Sequence, residues 1–310
     1  MQRIDRRVPS PNTHTIMKSP FESEPDPHSN AHEATVEVFA PTSKSSSVVF
    51  ASPHSGRVYP DAFLQEALVP LSVLRRSEDA YVDQLFADIP EFGAPLVCAT
   101  FPRVYVDPNR GPGELDPNMF YGAPPDGSAP ASSRASAGLG VIPRVAADGR
   151  HLYGRRLSYK EAQARLTACY APFHRALHDQ LQSARARFGE AILFDCHSMP
   201  AASARGADIV LGDRYGASCN RDLVALAEEE FRALGFAVVR NRPYAGGHTT
   251  EHYGQPKLGV QALQIEINRG LYLDESSVTP MSAMTGLRRA LAVWSERMIT
   301  ESVSLPLAAE

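Results

Sequence analysis

Two histidines lie at the ends of predicted strands, where their side chains can bind a metal ion. His54 follows the apolar run 47–51, and His197 closes the apolar run 191–197. Because side chains alternate along a strand, Asp195 shares a face with His197. Two histidines and a carboxylate are a common ligand set for a catalytic zinc ion, which keeps its fourth position for water. Either histidine alone is typical of a turn or core residue, but the two together, with acids nearby, predict a zinc site.

A row of polar side chains lies on one face of the predicted strand 263–269. Leucine and isoleucine occupy the other face, and the polar positions are Gln264, Glu266 and Asn268. An exposed edge strand shows the same alternation without any function. A central strand of an α/β sheet is normally apolar on both faces, so a polar row there indicates a cavity. Glu266 would then suit a general base that activates water.

The stretch 103–110 carries side chains that suit a carboxylate ligand. The planar guanidinium of arginine binds a carboxylate through two parallel hydrogen bonds, and a neighbouring asparagine adds a neutral donor. Arg103, Asn109 and Arg110 therefore predict a site for an acidic small molecule. A surface salt bridge beside an Asp-Pro turn would leave the same pattern.

The glycine-bounded loop 246–254 is a further candidate, because it contains His248 and His252. Loops with flexible ends often close over a substrate. We interpret this loop as a substrate cover, with His252 as a substrate-binding residue, and a simple turn is the alternative.

Other catalytic signatures are absent from the sequence. It contains no Walker loop, no H-E-x-x-H and no G-x-S-x-G. Cys196 and His197 are adjacent on a strand, so their side chains face opposite ways and cannot act as nucleophile and base. The cysteines, at positions 98, 169, 196 and 219, form no C-x-x-C pair and are expected to be reduced thiols.

The elements that position these residues alternate between strands and helices. Strands are predicted over 47–51, 95–99, 191–197, 207–212, 237–240 and 260–268. Helices are predicted after an N-cap at Ser77, over 159–188 with an interruption near Pro172, over 220–235 and over 279–302. The alternation indicates an α/β fold, with a mostly parallel or mixed central sheet and helices on both faces. The Pro-, Gly- and Ser-rich stretch 111–154 is longer than an ordinary loop and predicts a cover over an active site or a binding loop.

Composition is that of a globular chain. Of 310 residues, 43% are hydrophobic and 21% are charged, and the formal net charge is −4. This balance argues against a nucleic-acid-binding protein, and no apolar run approaches the roughly 18 residues of a membrane span. Residues 1–44 are predicted as a mobile arm before a single domain at 45–310. We expect a cytoplasmic protein without a signal peptide, although Arg3, Arg6 and Arg7 leave a mitochondrial address as an alternative.

Six motifs, taken in order, resemble those of the N-formylglutamate amidohydrolase family. They span about residues 47–290 and read PHSG at 53–56, DPNR at 107–110, DCHSMP at 195–200, DIVLGD at 208–213, NRPYAGG at 241–247 and QIEINRGLY at 264–272. The resemblance implies an α/β architecture like that of the zinc carboxypeptidases and aspartoacylase (phosphorylase/hydrolase-like).

The resemblance also implies roles for the candidate residues and one zinc ion per chain. The implied assignments are zinc binding by His54 and His197, general base catalysis by Glu266, polarisation of the scissile carbonyl by Arg103, and binding of the substrate carboxylate by Asn109 and Arg110. Carboxypeptidases have an acidic ligand three residues after the first histidine, where this chain has Arg57. We therefore predict Asp79 as the third ligand, with Glu78 and Asp83 as alternatives.

The activity that the resemblance implies is hydrolysis of the formyl amide of an N-formyl amino acid. N-formyl-L-glutamate would give formate and L-glutamate, a step of histidine degradation. The alternative among enzymes is a deacylase or peptidase that acts on another N-acyl amino acid or a small peptide. The alternative outside enzymes is a non-catalytic binder of acidic small molecules, which would need neither zinc nor Glu266. The expected partner is a small molecule that bears a carboxylate, with no nucleic acid and no membrane; the oligomeric state stays open.

Overall fold

A mixed seven-stranded sheet forms the centre of the protein. The structure, a computed structural model, describes residues 34–42, 45–122 and 132–302. Its strands are β1 (Val36–Phe39), β2 (Val48–Ser52), β3 (Leu96–Ala99), β4 (Phe120–Tyr121), β5 (Leu157–Ser158), β6 (Ala191–Met199), β7 (Ile209–Gly212), β8 (Val238–Arg240), β9 (Val260–Asn268), β10 (Leu273–Asp274) and β11 (Thr279–Pro280).

Helices connect the strands and cover the sheet. They are α1 (Asp61–Glu66), α2 (Leu71–Leu74), α3 (Val82–Leu85), α4 (Ile89–Phe92), α5 (Ser133–Ser136), α6 (Tyr159–Arg165), α7 (Ala171–Phe188), α8 (Ala201–Ala204), α9 (Arg221–Ala233), α10 (His248–Tyr253) and α11 (Met284–Glu301). A π-helical turn, Leu166–Tyr170, joins α6 to α7, and Pro172 lies in the first turn of α7. Within the described ranges, no helix is both long enough and apolar enough to cross a membrane.

The order of the strands places the ends of three of them side by side. The order is β1-β3-β2-β6-β9-β7-β8. Strands β3, β2, β6 and β9 run parallel, whereas β7 is antiparallel to β9, and β1 is antiparallel to β3. The register between β6 and β9 puts His197 opposite Glu266. The predicted α/β class with a mixed sheet is confirmed.

Apolar side chains form a core on each face of the sheet. Neighbouring residues of β6 point to opposite faces, so Phe194 lies in the core shared with α9 and α11, while Leu193 lies in the core shared with α7. Trp294 of α11 stacks on Phe231 of α9 with 4.3 Å between ring centroids. Close packing of this kind holds the carboxyl ends of the central strands at fixed distances from one another.

The segment after Ser77 differs from its prediction. Ser77 caps no helix; it ends the 3-10 helix Arg75–Ser77, and its hydroxyl accepts a hydrogen bond from the backbone of Ala147 at 3.0 Å. Residues 78–81 form a turn that ends with Tyr81 in the left-handed region, at a φ of 66°. The acidic pair after a serine is also typical of a helix N-terminus. Tertiary contacts turn the chain instead, so Asp79 lies in a turn.

The structure places strand β1 inside the segment predicted as an arm. It pairs with β3 along its whole length. Three of its four side chains are exposed, so the sequence carries little apolar signal there. Residues 1–33 lie outside the described part of the chain.

Candidate active site

A cavity of about 390 Å³ lies at the carboxyl ends of β2, β6 and β9. Ligands bind at this edge of open α/β sheets. Histidines, carboxylates and arginines share its lining with the segment 244–247. The polar and charged lining residues include His54, Arg76, Asp79, Arg103, Asp107, Asn109, Arg110, Arg134, His197, Gln264, Glu266 and Arg269.

Three buried side chains, those of His54, Asp79 and His197, converge in this cavity. Oδ2 of Asp79 lies 3.0 Å from Nδ1 of His197 and 3.3 Å from Nδ1 of His54. One donor atom from each residue lies within 4.8 Å of the others. Nδ1 of His54 is buried without a hydrogen-bond partner. Because two imidazole nitrogens and a carboxylate oxygen are ligands that zinc prefers, the cluster fits a metal ion.

The second nitrogen of each histidine faces another buried carboxylate. Nε2 of His54 lies 2.7 Å from Oδ1 of Asp107, and Nε2 of His197 lies 3.0 Å from Oδ2 of Asp195. A carboxylate at the far nitrogen fixes the orientation of an imidazole and makes it a better metal ligand. Both histidines therefore present Nδ1 to Asp79.

Asp79 is held through its other oxygen. Oδ1 accepts hydrogen bonds from Arg269 at 2.9 Å and from Arg103 at 3.5 Å. The backbone N–H of Asp79 donates to the carbonyl of His54 at 3.0 Å. These contacts tie the turn 78–81 to the end of β2 and leave Oδ2 directed at the histidines.

The charges of the cluster favour a bound cation. Burial disfavours the ionised carboxylates, but the histidines and Arg103 hold the pKa of Asp79 and that of Asp107 well below the usual value. Burial also disfavours protonated His197, yet the carboxylates of Asp195 and Asp79 raise its pKa well above 6.5. Negative charge is thus present where the imidazole nitrogens converge.

Glu266 lies beside the cluster on β9, and burial raises the pKa of Glu266 to about 7. Its Oε1 accepts a hydrogen bond from Nε2 of Gln264 at 2.7 Å. Oε1 of Gln264 in turn accepts from the backbone of Gly247 at 2.8 Å. The polar row predicted on this strand therefore lies on a central strand and lines the cavity at Gln264 and Glu266. A carboxyl that titrates near neutral pH can accept and return a proton.

Asn109 connects the cluster to helix α10. Its Oδ1 accepts from the backbone of Thr249 at 2.8 Å, and its Nδ2 lies 3.2 Å from Nε2 of His197. A Cβ atom at Gly247 would lie 2.4 Å from the Asn109 amide, so the segment before α10 packs directly on it. Asn109 lines the cavity, but much of its hydrogen-bonding capacity is used within the protein.

The two predicted arginines have different partners. Arg103 donates to Oδ2 of Asp107 at 2.9 Å and also contacts Asp79, so it bridges two carboxylates. Arg110 donates to two backbone carbonyls, that of Asn109 at 2.8 Å and that of Leu139 at 3.1 Å. Among the residues that the structure describes, no carboxylate forms a salt bridge with Arg110. Its guanidinium can therefore receive an anionic ligand.

The alternative acidic ligands lie away from the cluster. Glu78 accepts a hydrogen bond from the hydroxyl of Tyr59 at 2.8 Å, and Asp83 pairs with Arg57 at 3.0 Å. Of the three acids considered, the structure brings only Asp79 to the histidines.

The structure does not bring His252 to the cavity. Residues 248–253 form helix α10, not a loop, and His252 is exposed on it. The ring stacks on His248 with 5.3 Å between centroids. The segment from this region that lines the cavity is 244–247. We therefore assign no substrate contact to His252.

Asp107 and Arg269 belong to the site, although the sequence pattern assigns them no role. Asp107 is typical of an Asp-Pro turn, and Arg269 follows the polar row of β9. The feature of the sequence that could have identified them is the spacing of charged residues. Asp107 stands four residues after Arg103, with which it pairs, and Arg269 is a buried cation at the end of a central strand.

A mixed α/β sheet with a candidate metal cluster and a buried glutamate at its carboxyl edge is the arrangement of a hydrolase. Residues 46–273 match the N-formylglutamate amidohydrolase family. The chain belongs to this family of enzymes, which hydrolyse an amide, and the resemblance found in the six motifs is confirmed.

Relatives match most of the chain. The N-formylglutamate deformylase of Pseudomonas aeruginosa is 33% identical over 241 residues, which are 74% of this chain and 83% of that protein. The N-formylglutamate deformylase of Pseudomonas putida is 29% identical over 237 residues, 74% of this chain and 82% of that protein. The crystal structure of N-formylglutamate amidohydrolase from Ralstonia eutropha has a TM-score of 0.83 at 36% identity, and covers 88% of this chain and 99% of that one.

Proposed function

We propose that this chain hydrolyses the formyl amide of N-formyl-L-glutamate to formate and L-glutamate, with zinc as its cofactor. The observation that carries the proposal is the convergence of His54, Asp79 and His197 beside Glu266 in one cavity. The substrate follows from the relatives, which are named N-formylglutamate deformylase and N-formylglutamate amidohydrolase.

One zinc ion would be held by His54, Asp79 and His197, and Asp107 and Asp195 would orient the two histidines. Zinc bound by three protein ligands lowers the pKa of a water ligand to about 7 and polarises a carbonyl oxygen. The buried, unpartnered Nδ1 of His54 supports this ligand set.

Glu266 acts first as the general base and then as the general acid. It accepts a proton from the attacking water while the water oxygen bonds to the formyl carbon. It returns that proton to the amide nitrogen as the carbon–nitrogen bond breaks. A pKa of about 7 allows both transfers near neutral pH. Gln264 fixes one carboxyl oxygen, which leaves the other for proton transfer.

Arginines bind the anionic groups of the substrate and of the transition state. Arg103, fixed by Asp79 and Asp107, stabilises the negative charge that develops on the carbonyl oxygen. Arg110 binds a substrate carboxylate through its planar fork. Oδ1 of Asn109 accepts a hydrogen bond from helix α10 and its Nδ2 lies beside His197, while its amide hydrogens can donate to the same carboxylate.

A formate-release assay tests the proposal. N-formylglutamate should release formate, a zinc chelator should stop the release, and added zinc should restore it. N-acetylglutamate and short N-formyl peptides in the same assay, followed by amine release, test the acyl group and the substrate length. A zinc-loaded protein that releases no formate from any N-formyl amino acid would contradict the proposal. Preferred cleavage of the acetyl compound or of a peptide would favour the deacylase or peptidase alternative.

A further inference from the structure

The cavity contains more positive charge than its own carboxylates neutralise. Five arginines line it: Arg76, Arg103, Arg110, Arg134 and Arg269. Arg103 and Arg269 form salt bridges with the carboxylates of the cluster. Over the described ranges, the other three have no carboxylate oxygen within the 4.0 Å of a salt bridge. Unpaired cations in a cavity attract an anionic ligand.

Two of these unpaired arginines, Arg110 and Arg134, are joined through Leu139. Nε of Arg110 donates to the carbonyl of Leu139 at 3.1 Å, and the N–H of Leu139 donates to the carbonyl of Arg134 at 2.9 Å. Burial is the main cause of the lowered pKa of Arg110, and the charges of Arg103 and Arg134 lower it further. Arg110 and Arg134 therefore repel each other, and an anion bound by both would relieve that repulsion.

The helix that carries Arg134 is also fixed to the segment that follows Arg110. The hydroxyl of Ser132 caps α5 by accepting from the backbone of Ala135 at 3.1 Å, and it donates to Oε2 of Glu114 at 2.7 Å. Oε1 of Glu114 accepts from the backbone of Gly111 at 2.8 Å. Both arginines are thus held on one connected part of the cavity wall. Two arginines held in this way have a fixed spacing, so they can select a ligand whose two anionic groups have a matching spacing.

We infer that Arg134 binds the second carboxylate of a dicarboxylic N-formyl amino acid, while Arg110 binds the first. This inference rests on the proposed function and adds the residue that selects an acidic side chain. N-formylglutamate carries two carboxylates, and the proposed function uses Arg110 for one of them. Arg76 is the poorer candidate for the other, because its guanidinium donates at 3.3 Å to the carbonyl of Ser276, a residue that does not line this cavity. An amide in place of the side-chain carboxylate would leave Arg134 unpaired.

The test compares N-formylglutamate with N-formylglutamine, which differ in one charge and hardly in shape. The measured quantity is the ratio of kcat/KM for the two compounds. We expect Arg134→Gln to lower this ratio by about tenfold, since it loses a charge-assisted hydrogen bond at a solvent-exposed position. Arg134→Lys should recover part of the ratio. Arg110→Gln should lower kcat/KM for both compounds and leave the ratio close to that of the wild type.

Arg289→Gln is the matched control, because this exposed arginine of α11 does not line the cavity. A ratio that is unchanged in Arg134→Gln would overturn the inference and leave the proposed function intact. A similar fall in Arg289→Gln would overturn it too, because net charge alone would then explain the preference. If the ratio falls in Arg110→Gln and not in Arg134→Gln, the roles of the two arginines are exchanged, and this too would overturn the inference. If the wild type releases formate from neither compound, the proposed function fails first.

Discussion

In each ligand histidine, Nδ1 faces Asp79 and Nε2 faces a different carboxylate. For His54 this second carboxylate is that of Asp107, and its effect on zinc binding can be measured. Asp107→Asn keeps the shape of the side chain and removes the negative charge beside Nε2 of His54. We expect zinc affinity to fall by about 10- to 100-fold, because a metal ligand loses the carboxylate that orients it. Competition with a chromogenic chelator measures this affinity.

His54→Ala removes a ligand, and it should abolish binding of one zinc ion per chain. Asp83→Asn is the control, since that carboxylate pairs with Arg57 away from the cavity. Unchanged zinc affinity in Asp107→Asn would show that the far nitrogen of His54 needs no charged partner. Unchanged binding in His54→Ala would remove the metal site itself from this cluster.

A substitution at Glu266 should impair catalysis and leave the binding of substrate and zinc nearly unchanged. Glu266→Gln keeps the hydrogen-bonding shape and removes the base, so kcat should fall by roughly two to four decades. KM and zinc content should change little, because the side chain of Glu266 hydrogen-bonds to Gln264 and forms no hydrogen bond or salt bridge with the described arginines or the three ligands. Steady-state kinetics and metal analysis of the same preparation check both expectations. Loss of zinc would make Glu266 a ligand, and near-normal turnover would point to another base, with Asp195 as the next candidate.

The pH dependence of the rate reports on the same carboxyl. A base must be ionised, so kcat should rise with pH through the pKa of Glu266, which burial raises to about 7. A bound cation favours the ionised form of Glu266, so the rising part of the pH profile, the acid limb, should lie below pH 7. Gln264→Met removes the hydrogen bond to Oε1 and disfavours the ionised form, so the limb should move to higher pH. A limb that keeps its position in Gln264→Met would show that a different group titrates.

At the scale of elements, the segment in front of α10 controls the position of Asn109. A Cβ atom at Gly247 would lie 2.4 Å from both amide atoms of Asn109, so Gly247→Ala must displace a side chain that contacts His197. We expect kcat/KM to fall at least about tenfold and the free energy of unfolding to fall by about 1–3 kcal/mol. Kinetics and denaturant unfolding measure the two effects.

Gly286→Ala is the control for that substitution. Gly286 lies in α11 with nothing within 4 Å of its Cβ position, so alanine there should be neutral or slightly stabilising. A Gly247→Ala enzyme with normal kinetics would mean that Asn109 moves without consequence for His197.

The elements that could be predicted from the sequence are those that the pattern of residues within their own segment identifies. Strands β2 and β6 follow from continuous apolar runs, the polar row at Gln264 and Glu266 on β9 follows from alternation, and the structure contains all of them. Helix α10 was less predictable, because its histidines and threonines are weak helix formers after two glycines. The turn at Asp79 could not be predicted, since it depends on Arg269, which is 190 residues away in sequence.

At the scale of the whole molecule, the sheet brings distant segments to one edge. His54, His197 and Glu266 come from three adjacent strands or the turns that follow them, and Asp79 comes from a turn outside the sheet. The strand order could not be derived from the sequence pattern, because alternation identifies strands and not their neighbours. Two cores, one on each face, hold this edge in place.

Helix α7 connects the site to the rest of the fold through His174, and this contact should make stability depend on pH. Nε2 of His174 donates to the carbonyl of Pro108 at 2.9 Å, and Nδ1 lies 2.9 Å from the hydroxyl of Tyr253 in α10. Burial lowers the pKa of His174 to about 4. The unfolded chain binds this proton near pH 6.5, well before the folded protein does.

The stabilisation is therefore complete above pH 6.5 and is lost as the pH falls toward 4. The expected loss in the free energy of unfolding is on the order of 3 kcal/mol. Denaturant unfolding at several pH values measures it in the wild type and in His174→Gln, whose amide can hydrogen-bond but does not titrate. The variant should lose less stability over this interval than the wild type, because the histidine proton no longer contributes. Equal losses in the two proteins would show that His174 titrates alike in the folded and unfolded chains, and that the acid sensitivity of the fold comes from other groups.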